Sequence, residues 1–246
     1  MTVQGQDYSH YNETVDFALA VKSGQSVFYF KAGEGTQGNG MQDKTYQSKR
    51  LACLPVAPFG PYHFLKMTAT APSQAAWFKK CAPEPTPLPP FADIEQHPFE
   101  PPNNTIPLAK KRTHVHDYLL GIEQDFLRRP IVYTGVYWWK DNIGDVSWAK
   151  DYQFVFAAYL FYKEPIPANF NPYWPGPRTL PPGVPRENVI GWQWAGDIPN
   201  PGKYPWASGA QDFNTFDDRI LDGFKPPLTI EERVSRLEKL HPEIGG

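Results

Sequence analysis

The chain has 246 residues, with 24 Lys and Arg against 26 Asp and Glu, for a formal net charge of −2. That length suits one α/β barrel or one domain plus a tail, and the near-neutral balance gives no electrostatic case for nucleic acid or an anionic membrane. No run approaches the ~18 apolar residues of a membrane span, and Cys53 and Cys81 cannot build a disulfide framework, so both are expected as free, buried thiols.

The first residues, Met-Thr-Val-Gln-Gly-Gln-Asp, contain neither a basic n-region nor an apolar h-region, so no signal peptide is expected. Val3 to Tyr8 then reads as a strand. Thr14 is a candidate cap for a helix to Lys22, with Gly24 just past its end. Val27-Phe28-Tyr29-Phe30 is a second strand, Lys44 to Leu54 a helix stopped by Pro55, and Phe59 to Phe64 a third strand. Ser73 is placed to cap a helix through Trp77 and Lys80, and Pro89 to Ile94 is a fourth strand. From Thr113 to Leu127, the residues Val115, Tyr118, Leu119, Ile122 and Phe126 recur at helical spacing. Ile131 to Tyr133, Phe154 to Ala158, Val189 to Trp192 and Ala210 to Phe213 complete the strands.

Strands alternating with helices predict a parallel sheet, and about eight of them in one domain predict closure. The expected fold is therefore α/β: an irregular TIM-like (β/α) barrel over residues 1–224, with reduced helices and long proline-rich loops. Pro83 to Pro107 and Pro165 to Pro185 are those loops, because so much proline excludes central strands and helices. The aromatics Phe99, Phe170, Tyr173 and Trp174 within them argue for order. Residues 225–246 form a separate tail after Pro226-Pro227. In it Thr229 to Leu240 reads as a short amphipathic helix that either docks on the barrel or mediates oligomer or virion contact.

The chemistry concentrates where strands end. In Phe91-Ala92-Asp93-Ile94-Glu95 two carboxylates stand two residues apart, so on a strand they share a face. Close negative charge and partial burial raise a carboxyl pKa, which suits general acid catalysis. In an α/β barrel the site lies at the C-terminal strand ends. Those ends supply Asp7, Lys31 to Glu34, Tyr62-His63, Asp93 with Glu95, Tyr133, Tyr159, Gln193-Trp194 and Asp212. Eight Trp and thirteen Tyr suit both an aromatic core and flat faces for sugar rings. His114 and His116, at i and i+2 on a helix, face apart and are not expected to share a metal. No phosphate-binding glycine loop or Ser-His-Asp elbow is present.

The local patterns resemble those of the glycoside hydrolase family 25 lysozymes. Gly5-Gln6-Asp7-Tyr8-Ser9-His10-Tyr11 resembles the family's G-x-D-x-S-x-[WY], and Phe30-Lys31-Ala32-Gly33-Glu34-Gly35-Thr36 its K-A-T-E-G-T. Gly60-Pro61-Tyr62-His63-Phe64 is similar to G-x-Y-H-F, and Phe91 to Glu95 to the D-x-E strand. Trp192-Gln193-Trp194 and Gln211-Asp212-Phe213-Asn214 are similar to W-Q-[YF] and V-D-x-N. Order and spacing agree over residues 3–216. The departures are Gly33, which stands in place of Thr and is expected to loosen its loop, and longer proline-rich segments.

The resemblance implies a peptidoglycan muramidase that hydrolyses the β-1,4 bond between N-acetylmuramic acid and N-acetylglucosamine, with no metal or organic cofactor. Glu95 would be the general acid. Asp93 would polarise the substrate's N-acetyl group or stabilise developing positive charge. Asp7 and Asp212 would orient water or tune Glu95. Tyr62 and Tyr133 would hydrogen-bond the scissile sugar and Trp194 would stack on it. Gln193, Tyr159 and Glu34 would complete the substrate contacts, Glu34 having a structural alternative in fixing its glycine loop. A D-x-E pair on one strand fits substrate-assisted retention better than the ~6.5–9.5 Å gap of inverting carboxylates. The expected partner is the peptidoglycan glycan strand, with no nucleic acid and no membrane insertion, and the place of action is the wall outside the cytoplasm, as a phage lysin or virion-associated enzyme. Two rivals stay open: a non-catalytic wall-binding or structural virion module on the same barrel, and a glycosidase for another N-acetylated polymer.

Overall fold

A closed ring of strands organises the chain, which the structure, a computed structural model, describes over residues 1–172 and 176–222. The strands are β1 (Thr2–Tyr8), β2 (Gln25–Glu34), β3 (Met41–Gln42), β4 (Phe59–Phe64), β5 (Phe91–Asp93), β6 (Ile131–Gly135), β7 (Gln153–Tyr162), β8 (Val189–Ile198) and β9 (Gln211–Asp217). The helices are α1 (Phe17–Lys22), α2 (Tyr46–Cys53), α3 (Ala71–Cys81), α4 (Leu108–Phe126) and α5 (Val136–Asn142). The ring runs β1-β9-β8-β7-β6-β5-β4-β2 and closes through β1–β2, with the two-residue β3 added to the end of β2.

Within the ring every neighbouring pair from β1 through β8 is parallel, but β9 runs antiparallel to both β8 and β1, and β3, outside the ring, runs antiparallel to β2. The sheet is thus mixed and not wholly parallel, as the expected alternation had it. No helix separates β8 from β9, so the chain doubles straight back. An antiparallel pair needs only a loop, whereas a parallel one needs a crossover.

The proline-rich segment 83–107 is not all loop, since it contains β5, a central strand between β4 and β6. Its prolines Pro89 and Pro90 precede the β4–β5 register, which begins at Tyr62↔Phe91, so no proline interrupts that ladder. In the second segment Phe170 packs against Phe161 and Trp194, with ring centroids 4.8 and 5.0 Å apart. Tyr173, Trp174 and the tail helix expected at 229–240 lie outside the described residues.

Strand periodicity divides the core in two. Inside the ring lie Val27, Tyr29, Phe91, Ile131, Val155, Ile190 and Phe216. Outside it, Phe28, Phe30, Phe59, Val132, Phe154 and Phe156 pack on the helices, among them Phe78 of α3 and Tyr118 and Ile122 of α4. Helix α5 had no signature in Val-Tyr-Trp-Trp-Lys-Asp-Asn. Burial of Val136 and Trp139 holds it, where propensity alone would not. Gly33 does not loosen its loop: a Cβ there would stand 2.8 Å from the Met41 carbonyl oxygen and 3.1 Å from Cys81 Sγ, because β3 comes close. Cys53 and Cys81 are free and buried.

Candidate active site

Two residues beyond each inward apolar position, the barrel interior turns polar. Tyr29 is followed by Lys31, Gly60 by Tyr62, Phe91 by Asp93, Ile131 by Tyr133, and Gly191 by Gln193, because side chains on a strand share a face with period two. These residues, with Asp7 from β1, Glu95 just past β5, Tyr159 and Tyr162 from β7, and Asp197 and Asp212 from β8 and β9, line one cleft of about 380 Å³. Asp212 reaches this rim because β9 is reversed: it lies at the beginning of its strand, not at the end as a parallel strand would have required.

Asp7, Asp93, Glu95 and Asp212 share the space with Lys31, which is 8 % exposed, and with Asp197 at the exposed edge. Burial first, then the charge of Asp7, pushes Glu95 up to about 7, against the pull of Lys31. Asp93 is held well above the usual carboxylate range by burial and by Glu95. Asp212 is raised well above it by burial and by Asp7. Asp7 is raised by burial although Asn214 and Gln193 hydrogen-bond to it. Burial and mutual repulsion therefore raise all four carboxyls, Glu95 to about 7.

Hydrogen bonds fix the orientation of this cluster. Gln193 Nε2 and Asn214 Nδ2 both donate to Asp7 Oδ2 at 2.8 Å, and Tyr133 donates its hydroxyl to Gln193 Oε1 at 2.6 Å. The Asp197 amide donates to Asp212 Oδ1 at 2.8 Å. Asp197 achieves this with φ of 52°, a left-handed conformation that costs a non-glycine residue energy and is concentrated at functional sites. Asp93 Oδ1 is buried without a hydrogen-bond partner among the described residues.

Two residues expected to touch substrate do not line the cleft. Glu34 sits behind it in an ionic cage, 2.7 Å from Lys31 Nζ, 3.4 Å from Lys66 Nζ and 3.2 Å from His97 Nε2. Its carboxyl is lowered to about 2, burial being outweighed by Lys31, His97 and Lys66. The register shift between Lys31 and Gly33 pairs Glu34 with Phe64, on the side of Lys31, and the three cations around its carboxylate hold it there in place of a substrate contact. Trp194 is 5 % exposed and packs with Phe170 and Phe213. Adjacent strand residues cannot both face inward, and Gln193 takes the inward position.

Sequence reasoning placed Lys31 at a strand end of the site without giving it a role, and it passed over Asp197 and the part of Asn214 in holding Asp7. Parity with Tyr29 is the signal that turns Lys31 inward. Asp197 lay beyond the expected end of its strand. His63 is fully buried, with Nδ1 2.7 Å from the Tyr118 hydroxyl and its pKa lowered to about 3 by burial, so it is a neutral structural group. His114 lies against the Lys66 carbonyl and His116 stacks on Trp148, so the two do not converge.

Lys31→Met is expected to move the alkaline limb of any activity that needs protonated Glu95 upward, by about one pH unit or less, because the cation that favours ionisation is gone. Glu34 keeps Lys66 and His97 as partners in that variant. A pH profile of kcat/KM with an unmoved limb would remove Lys31 from this role.

A family model described as glycosyl hydrolases family 25 matches residues 6–202. Lysozyme M1 of Streptomyces globisporus is 28% identical over 151 residues, covering 59% of this chain and 50% of that protein, so the chain matches only about half the length of this relative. The bacterial lysozyme of Streptomyces coelicolor superposes with a TM-score of 0.72 at 24% identity, over 90% of this chain and 96% of its own. A family GH25 lysozyme from Aspergillus fumigatus gives 0.71 at 23% identity, over 92% and 100%. These two likenesses show the fold.

Proposed function

The chain belongs to family 25 of the glycosyl hydrolases, and on that premise we propose that it is a peptidoglycan muramidase that hydrolyses the β-1,4 bond from N-acetylmuramic acid to N-acetylglucosamine. The observation that carries the reading is a carboxyl held protonated up to about 7 in a cleft that also contains four other acids and a buried lysine. Its place of action on this reading is the wall outside the cytoplasm, in the manner of a phage lysin or a virion-borne enzyme.

Glu95 gives its proton to the glycosidic oxygen as the C1–O bond breaks. The substrate's acetamide oxygen bonds to C1 in the same step, and Asp93, whose Oδ1 lacks a partner, accepts the acetamide N–H. Glu95, now a carboxylate, takes a proton from the water that attacks C1 and reopens the ring, so configuration is retained and the acid is regenerated. Asp7, fixed by Gln193 and Asn214, and Asp212, fixed by the Asp197 amide, turn carboxyl oxygens toward C1 as it becomes cationic.

Mass spectrometry of digested peptidoglycan tests the reading. Fragments ending in reducing muramic acid are expected. Fragments ending in reducing glucosamine would replace the bond assignment, and wall binding with no new reducing ends would make the protein a binding module.

A further inference from the structure

A second cavity of about 590 Å³ opens beside the cleft, and Glu95 and Tyr159 belong to the walls of both. Its remaining walls include Gly135 and Tyr137 at the β6–α5 junction, Ala157 and Leu160 on β7, and Pro177 and Arg178 in the loop before β8. Tyr137 is 76 % exposed and Leu160 42 %. A further sugar ring would need hydrogen-bond partners around its whole edge, and these mainly apolar walls offer few.

The charges point the same way. The cleft is crowded with carboxyls and repels an anionic substituent, whereas among the described residues the charged groups on the side cavity's wall are Glu95, shared with the cleft, and Arg178. A muramyl residue carries, on its lactyl group, a peptide rich in methyl groups and ending in carboxylates. We propose that the side cavity receives this peptide stem, with its methyl groups against Ala157, Leu160 and Pro177 and its carboxylates toward Arg178. The proposal rests on the muramidase reading and deepens it: the enzyme selects peptide-bearing glycan at a site continuous with its general acid.

Gly135 provides the test. Its φ of −73° suits any residue, and a Cβ there meets only Trp138, at 3.5 and 3.8 Å, in ordinary contact. Gly135→Leu therefore projects a side chain into open space and fills the cavity. Arg178→Glu, at an exposed position, reverses the charge and serves if the first variant does not fold. The substrates are glycan chains with their stems and the same chains stripped by an amidase. Wild type is expected to show kcat/KM about tenfold higher on stem-bearing chains. Both variants should lose most of that preference while keeping the rate on stripped chains. An equal rate on the two substrates in wild type, or an unchanged preference in the variants, overturns the proposal. Absence of reducing ends from either substrate would instead strike the muramidase reading. In that case titration of the Glu95→Gln protein decides: muramyl dipeptide should bind more tightly than N-acetylmuramic acid, and equal binding overturns the side-cavity assignment on its own.

Discussion

Glu95→Gln is expected to lower turnover by on the order of 10²–10⁴-fold and, above pH 7, to make the fold more stable. Both effects come from the same cause. Burial and the neighbouring Asp7 hold the Glu95 carboxyl at about 7, above its ordinary 4.5. A folded-state pKa raised in this way favours folding fully only below the unfolded value. The contribution is lost as pH rises through the folded value, because ionisation is then required inside the cleft. One pH unit corresponds to about 1.4 kcal/mol, so wild type gives up on the order of 1–3 kcal/mol between about pH 4.5 and 7, after allowance for the cleft's contact with solvent. Gln, which cannot ionise, does not. Thermal unfolding at pH 8 should place the variant several degrees above wild type, and at pH 4 the two should coincide. A variant less stable than wild type at pH 8 would mean that the carboxyl is anchored by favourable contacts instead of repelled by its neighbours.

Phe216→Ala is expected to destabilise the protein by about 3–5 kcal/mol and to lower activity without touching a cleft residue. Phe216, 1 % exposed, fills the barrel interior beneath the cleft, with Tyr29 at 6.3 Å and Phe91 at 6.4 Å between ring centroids. Tyr29 stacks on Phe91, and Phe91 is part of the cleft's own wall. The ring fits because two neighbouring strands carry glycine beside it. A Cβ on Gly5 or on Gly191 would come within 2.6 Å of its atoms. Those glycines have no side chains with which to refill the hole, so the cavity stays open. Gly191→Ala alone should cost about 1–3 kcal/mol by overpacking. Combined with Phe216→Ala, the total should fall short of the sum by about 0.5–3 kcal/mol, because the new methyl occupies space the ring has vacated. Urea unfolding followed by tryptophan fluorescence measures all three. Strict additivity would show that ring and glycine do not share this space.

Five of the helices or strands show how far local patterns reach. The β4 strand was read to the residue, and α4 was found from its apolar spacing, though it begins at Leu108 because Pro107 leads into its first turn. Strand β8 continues six residues past Trp192, into a stretch whose small residues Ala195 and Gly196 carry little strand signal, and it takes Asp197 into the site. Helix α5 was invisible because its aromatic and β-branched residues favour strand. The direction of β9 was equally hidden, since a strand's sequence does not record the orientation of its partners.

What the sequence determined by itself was composition at each periodic position. Inward residues alternate with outward ones, and acids and aromatics stand two places beyond the apolar filling. From the alternation of strands with helices came the barrel, and from the strand ends came Asp7, Asp93, Glu95, Tyr62, Tyr133, Gln193, Tyr159 and Asp212 as cleft candidates, all of which line one cavity. The tertiary structure alone decided which near neighbours were excluded. Ion pairs with Lys31, Lys66 and His97 take up Glu34, and strand parity turns Trp194 into the core. It also decided the charge state of the cluster, because a carboxyl's pKa depends on the burial and the neighbouring charges that only ring closure brings together.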